Sequence, residues 1–91
     1  MILKTREIRN SLTSKGFEEI PKRDHIRFRF IYEGRKTQYT TFFSHGHREI
    51  GDQLISLMAR QLGLSKLQFV DLVVCTISEE GLIEIYLSQG M

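Results

Sequence analysis

Three side chains that can carry positive charge recur at every second position of one alternating segment: His25, Arg27 and Arg29. Period-two geometry places such side chains on one face of a β-strand, about 7 Å apart. An imidazole can transfer protons near neutral pH, and a guanidinium group keeps its positive charge there. Scission of an RNA strand uses both properties, because a proton leaves the 2′-hydroxyl while negative charge builds up on the phosphate oxygens. The alternative interpretation is an ordinary charged strand face in contact with solvent.

The other two histidines lie in the segment SHGHR, at His45 and His47, directly before Arg48. An H-x-H pair with a third histidine can bind zinc, but the spaced cysteines of most zinc sites are missing. A corner that leads into a helix can instead bind phosphate through free amides and the positive helix end. A polar turn without a ligand is the third interpretation. We expect no metal and no cofactor.

The charge of the chain is distributed unevenly. Residues 1–50 carry 11 Lys and Arg against 6 Asp and Glu, whereas residues 51–91 carry 2 against 5, so +5 and −3 give the net charge of +2. A polyanion would therefore bind to the amino-terminal half, although a modestly basic face exposed to solvent would give the same count.

Length and composition restrict the possible functions. The chain has 91 residues, of which 41% are hydrophobic and 26% charged, so it forms one small domain over residues 1–91. No apolar run approaches the ~20 residues of a membrane helix, and the start MILKTREIRN lacks the apolar core of a signal peptide. We therefore expect a cytoplasmic protein that does not bind membranes. The single cysteine, Cys75, follows the apolar run LVV and is predicted to be a small core residue.

The elements that must position these side chains follow from periodicity and from turn residues. The first predicted element is a helix over residues 3–15, closed by Gly16. Three strands follow, over residues 17–20, 25–32 and 37–44, with a turn at 22–24 and a hairpin turn at 33–36. The last predicted elements are a helix over 50–61, a helix over 66–75 that opens with a capping box at Ser65 and Gln68, and a final helix capped by Ser78. This order predicts an α+β fold in which a three-stranded antiparallel sheet packs one face on the helices and leaves the other face open.

With these residues and this element order, the chain resembles the HicA family of toxin-antitoxin systems, whose members are small mRNA interferases with a double-stranded-RNA-binding-domain fold. The resemblance covers residues 3–65: a first helix, a K-G-F step at Lys15, a histidine that opens the second strand, and a histidine-bearing corner, SHGHREI, before the next helix. Two features depart from the family pattern. Arg23 and Asp24 stand where most members have Gly-Ser, and the chain continues through a helical extension over residues 66–91.

The resemblance implies an α-β-β-β-α core, a catalytic role for His25 and a cytoplasmic endoribonuclease that binds mRNA and is controlled by a HicB-like antitoxin. The residues expected to contact RNA are Arg23, Arg27, Arg29, Arg35, Lys36, His45, His47 and Arg48. Two alternatives remain beside this reading. The chain can be an RNA-binding module without catalysis that recognises shape, or a partner-binding domain that does not bind nucleic acid.

Overall fold

A computed structural model describes all residues from 1 to 91. The elements in chain order are β1 (Leu3–Lys4), α1 (Thr5–Ser14), β2 (Phe17–Pro21), β3 (His25–Tyr32), β4 (Arg35–Ser44), β5 (Glu49–Ile50), α2 (Asp52–Gln61), α3 (Lys66–Val73) and α4 (Glu79–Ser88). The α+β class, the three-stranded antiparallel sheet and the four helices agree with the sequence prediction. No helix has the length and apolar character needed to cross a membrane.

The main sheet is an antiparallel meander in the order β2-β3-β4. Phe17 of β2 lies opposite Phe30 of β3, and His25 lies opposite Ser44 of β4. The predicted alternation in β3 is confirmed, because Ile26, Phe28 and Phe30 are buried while the residues between them are half-buried. A register shift near the far end of β3 and β4 adds residues to β4.

The turn between β3 and β4 is shorter than predicted. Only Glu33 and Gly34 form it, and both have positive φ angles, of 50° and 76°. Two central residues with positive φ match the right-handed twist of the flanking strands, which is why two-residue hairpins favour them. Arg35 and Lys36 were predicted in the turn but belong to β4, where both are exposed.

A second, two-stranded sheet corrects the predicted starts of two helices. Leu3 and Lys4 were predicted as helical and Ile50 as the first position of the next helix, but β1 pairs with β5 in antiparallel register, Leu3 opposite Ile50. Both apolar side chains are buried. Their positions also fit a helical period, so local spacing cannot distinguish the two structures, and the strand forms because distant backbone groups become partners.

One hydrophobic cluster of 21 buried residues joins the sheet to the helices. Six members belong to the helical extension: Phe69, Val70, Leu72, Val73, Leu82 and Tyr86. Tyr86 of α4 stacks on Tyr39 of β4 with ring centroids 3.6 Å apart, and its ring lies 5.2 Å from that of Phe30. The extension therefore packs on the buried side of the main sheet.

The junction between α1 and β2 is tied to the extension. Lys15 is 8% exposed, and its Nζ donates hydrogen bonds to the carbonyls of Leu72 and Ile77. Gly16 ends the helix with a φ of +96°, as predicted, and a Cβ at this position would lie 2.9 Å from the ring of Phe30. A side chain other than hydrogen cannot enter that space without displacing the ring.

The extension confirms both predicted caps but not the position of the cysteine. Ser65 and Gln68 form the reciprocal capping box of α3, and the hydroxyl of Ser78 accepts from the amide of Gly81 in α4. The prediction of a core Cys75 is wrong, because α3 ends at Val73 and Cys75 is exposed with a φ of 69°. The left-handed residue ends the helical period that would have directed the thiol inward.

Candidate functional site

The side chains singled out on β3 lie on the side of the main sheet that the helices do not cover. His25, Arg27 and Arg29 are half-buried, and they alternate with the buried residues of the same strand. Phe42 of β4 faces the same side because it lies directly opposite Arg27. We call the surface formed by these four residues the open face.

Cross-strand pairing arranges the open face in rows, since residues opposite each other point to the same side of a sheet. The central row contains Ile20 of β2, Arg27 of β3 and Phe42 of β4. The next row contains Glu18, Arg29 and Thr40, and the row at the end of the strand contains His25 and Ser44. A guanidinium group thus has an aliphatic side chain on one flank and an aromatic ring on the other.

Neither arginine of the open face has a carboxylate partner within 4 Å, although Glu18 lies directly opposite Arg29. The Nε of Arg29 is buried and has no acceptor. Arg9 on α1 is different, because it forms a two-bond pair with Glu19 that raises the pKa of Arg9. No internal carboxylate therefore neutralises the guanidinium groups of the open face, although the buried Nε of Arg29 is itself not accessible to an external anion.

His25 stands at the first position of β3, where the preceding turn closes. The amide of Lys22 donates to the carbonyl of His25 at 2.8 Å. The imidazole packs against Phe42, with ring centroids 5.1 Å apart and an angle of 55° between the ring planes. The imidazole therefore lies at the end of β3, on the same face as Arg27 and Arg29. The side chain of His25 is partly exposed, so solvent can reach the imidazole.

His45 holds the corner after β4 against the turn before β3. Its Nε2 lies 2.8 Å from the carbonyl oxygen of Lys22, and its amide donates to the carbonyl of Asp24 at 3.4 Å. A carbonyl oxygen only accepts, so this Nε2 carries the proton. The contact brings Arg23, His25 and His45 to the same end of the sheet, and it fixes the turn that carries Arg23.

His47 and Arg48 lie in the corner that follows β4, and His47 shares a cavity with Phe42. The carbonyls of both residues accept from the hydroxyl of Thr5 at 3.1 and 3.2 Å. His47 lines a cavity of about 80 Å³ between β4 and α2, and Arg48 lines a shallow depression of about 500 Å³ beside Lys4. The short strand β5 separates this corner from α2, so the corner does not meet the amino end of the helix directly.

Arg35 and Lys36, the first two residues of β4, lie at the opposite end of the sheet from His25. Lys36 pairs with Ile31, which is six residues along β3 from His25. At about 3.3 Å per residue the separation is roughly 20 Å. Arg35 and Lys36 are therefore too far from His25 to contact the same small anion.

No three His, Cys, Asp or Glu side chains come together in a way that could hold a metal ion. The nitrogen of His45 that faces Lys22 is used by the carbonyl. The chemistry that the open face offers is therefore that of one imidazole, two guanidinium groups and an aromatic ring.

Sequence reasoning assigned no role to Phe42. The signal was present, since Thr41 and Phe43 on either side are buried and a period of two then places Phe42 outward. Aromatic side chains in strands are usually buried in the core, so the exposed position of Phe42 was not predicted.

Comparison of the chain with protein-family models, with curated proteins and with solved structures finds no match. The interpretation of the open face therefore rests on its own residues.

Proposed function

We propose that this chain binds RNA on its open face and cleaves it, as a HicA-like mRNA interferase of a toxin-antitoxin system. The observation that carries the proposal is the pair of arginines, Arg27 and Arg29, without carboxylate partners in one strand with His25. Cations that no internal carboxylate neutralises favour a polyanionic ligand.

In the proposed reaction His25 takes the proton of a 2′-hydroxyl group, whose oxygen then attacks the adjacent phosphorus. The bond between phosphorus and the departing 5′-oxygen breaks and leaves a 2′,3′-cyclic phosphate, while the protonated His25 returns its proton to the 5′-oxygen. The fixed charges of Arg27 and Arg29 stabilise the negative charge that develops on the phosphate oxygens. The catalytic role of His25 is the one that the HicA resemblance implies, and the role of Arg27 and Arg29 follows from their fixed positive charge.

The element order also supports the proposal. The succession α1, β2, β3, β4, α2 is the one expected of a HicA-like core with a double-stranded-RNA-binding-domain fold. In this proposal residues 66–91 are an addition that completes the core behind the sheet, and the whole chain acts in the cytoplasm.

A specific observation favours RNA binding without catalysis as the second candidate. His25 is the only imidazole in the strands that form the open face, because His45 and His47 lie in the corner after β4. A single imidazole must serve both proton transfers, or the surface only binds.

Replacement of His25 tests the catalytic role. His25→Ala should cleave single-stranded RNA about 10²–10⁴-fold more slowly than the parent while it still binds RNA, because general acid-base catalysis contributes on that order. Glu84→Ala, at an exposed position of α4 behind the sheet, is the control and should keep the parent rate. Chelators should not alter the rate, since the proposed groups are imidazole and guanidinium. An unchanged rate in His25→Ala contradicts the assignment, and a parent that binds but does not cleave favours the second candidate.

Charge reversal tests the binding surface. Arg27→Glu with Arg29→Glu should weaken RNA binding and flatten its dependence on salt, because fewer counterions are released. Reversal of Arg6 and Arg60, which are exposed on α1 and α2, changes the net charge equally and should weaken binding less. Equal losses in the two double variants would show that net charge, and not the open face, determines binding.

The proposed partner is a HicB-like antitoxin that covers the open face. Arginine pairs well with carboxylates, so we expect acidic residues of the antitoxin to contact Arg27 and Arg29 and to exclude RNA by competition. The same double reversal should then weaken antitoxin binding. Simultaneous binding of RNA and antitoxin to one chain would contradict this arrangement.

A further inference from the structure

Phe42 is unusual among the aromatic side chains of the main sheet because it is exposed. Its exposed fraction is 44%, whereas Phe28, Phe30 and Phe43 are each at most 5% exposed. The ring stands in the middle of the open face, opposite Arg27 and 5.1 Å from the ring of His25. A ligand that covered the ring would gain free energy from burial of its apolar surface.

The surroundings of the ring indicate the chemistry of that ligand. A nucleobase is flat and apolar on its faces, and it stacks on an exposed aromatic ring. The phosphate of the same nucleotide is anionic and lies one sugar away from the base. Arg27 is the direct cross-strand neighbour of Phe42, and side chains in such pairs are about 5 Å apart at Cβ. Ring and guanidinium group are thus spaced for the two ends of one nucleotide.

We propose that Phe42 is a stacking platform for an unpaired base, so that the open face binds single-stranded and not duplex RNA. This inference rests on the proposed RNA-binding function and adds to it the residue that binds the base. In a duplex both faces of each base are occupied by neighbouring base pairs, so no face is available to Phe42. A base stacked on Phe42 also places its sugar beside the imidazole that packs on the same ring.

A protein partner with an apolar surface is the competing explanation for the exposed ring, and it differs from the proposed antitoxin, which would contact Arg27 through carboxylates. Phe42 also lines the cavity between β4 and α2, where Leu54 and Leu57 are 37% and 43% exposed. A protein that covered Phe42 on the open face would also have to cover the guanidinium group of Arg27, which has no internal partner. Burial of an unpaired charge is expensive, and a phosphate removes that cost whereas an apolar protein surface does not.

Fluorescence tests the stacking directly, because the chain contains no tryptophan. Phe42→Trp introduces a single reporter at the proposed platform, and Leu87→Trp introduces one at a comparably exposed position, 47%, on α4. A single-stranded oligoribonucleotide should quench the tryptophan of Phe42→Trp, and the same strand annealed to its complement should not. Neither form should quench Leu87→Trp. Binding of single-stranded RNA to Phe42→Trp without quenching overturns the proposal, as does equal quenching by the duplex.

Affinity provides an independent test with shape-matched substitutions. Phe42→Leu keeps an apolar side chain without an aromatic face, and it should bind single-stranded RNA about 5- to 150-fold more weakly than the parent. Phe42→Tyr retains the face and should bind like the parent. Parent-like affinity in Phe42→Leu overturns the proposal.

The remaining outcomes separate this inference from the function on which it rests. If the reversal of Arg27 and Arg29 abolishes binding while Phe42→Leu binds normally, the RNA-binding function stands and the stacking role falls. If the parent binds no RNA, both fall. If Phe42→Leu changes the oligomeric mass measured by light scattering but leaves RNA affinity unchanged, the ring belongs to a protein interface and the stacking role is again overturned.

Discussion

Replacement of Lys15 by methionine should destabilise the protein far more than replacement of an ordinary surface lysine. The side chain is 8% exposed, and its ammonium group donates to the carbonyls of Leu72 and Ile77 at the end of α3 and in the loop after it. Methionine keeps an unbranched apolar stem of similar length but has no donor. The substitution therefore removes two hydrogen bonds while packing changes little. The carbonyl of Ile77 loses its donor, whereas the carbonyl of Leu72 still accepts from the amide of Cys75.

The size of the effect follows from these contacts. A hydrogen bond to a charged group contributes about 1.5–3 kcal/mol, and an ammonium group near the carboxyl end of a helix adds about 0.3–1 kcal/mol. The variant no longer has to bury a charge, and the desolvation cost that is avoided offsets part of this loss. We therefore expect a net loss of unfolding free energy of about 3 kcal/mol. For a chain of 91 residues the total stability is on the order of 5–14 kcal/mol, and a loss of this size lowers Tm by roughly 12–24 °C.

Urea denaturation followed by circular dichroism measures the difference. Lys66→Met is the matched control, because Lys66 is an exposed lysine whose Nζ lies 2.8 Å from Oδ1 of Asp52. Exposed pairs contribute little to stability, so this variant should unfold at nearly the parent midpoint. The reasoning is refuted if Lys15→Met unfolds at the same urea concentration as Lys66→Met with the parent's m-value.

Three further substitutions test single contacts of the fold. Gly16→Ala should lose about 2 kcal/mol or more in the same denaturation assay, because the residue has a φ of +96° and the new Cβ would meet the ring of Phe30 at 2.9 Å; parent-like stability would contradict the assigned clash. Tyr86→Phe should be as stable as the parent or up to about 1 kcal/mol more stable, since the hydroxyl is buried without a partner and burial raises the pKa of Tyr86; a clear loss would reveal a partner. Hydrogen bonds from Lys66 and from the amino terminus lower the pKa of Asp52, so its contribution is present above about pH 4 and disappears as the pH falls through the lowered value. The difference in unfolding free energy between the parent and Asp52→Asn should therefore shrink on acidification, and a difference that grows would contradict the sign.

The parts of the fold that the sequence predicts best are those that local periodicity determines. The alternation of β3 over His25–Tyr32 distinguishes an inner from an outer face without further information, and the structure agrees. The capping box at Ser65 and the left-handed stop at Gly16 are likewise local, because each depends on residues within one turn. These features could be read from the chain because their partners are close in sequence.

The features that were missed depend on partners distant in sequence. Leu3 was assigned to a helix since only Ile50 explains its extended state. Cys75 follows an apolar run, but a change to positive φ directs it to solvent. The unpaired state of Arg29 is equally non-local, because Glu18 lies opposite it in the register yet forms no ion pair with it. Register and burial had to be known before the open face could be described.

The carboxyl-terminal extension has a definite relation to the open face. Tyr86 stacks on Tyr39 and contacts Phe30, and both partners point to the side of the sheet opposite Arg29. The extension therefore covers the back of the sheet, and Lys15 joins it to the end of α1. Because the added helices bury the apolar side, the cationic side stays uncovered. A role in core formation accounts for residues 66–91 and leaves the open face available for RNA and an antitoxin in the proposed function.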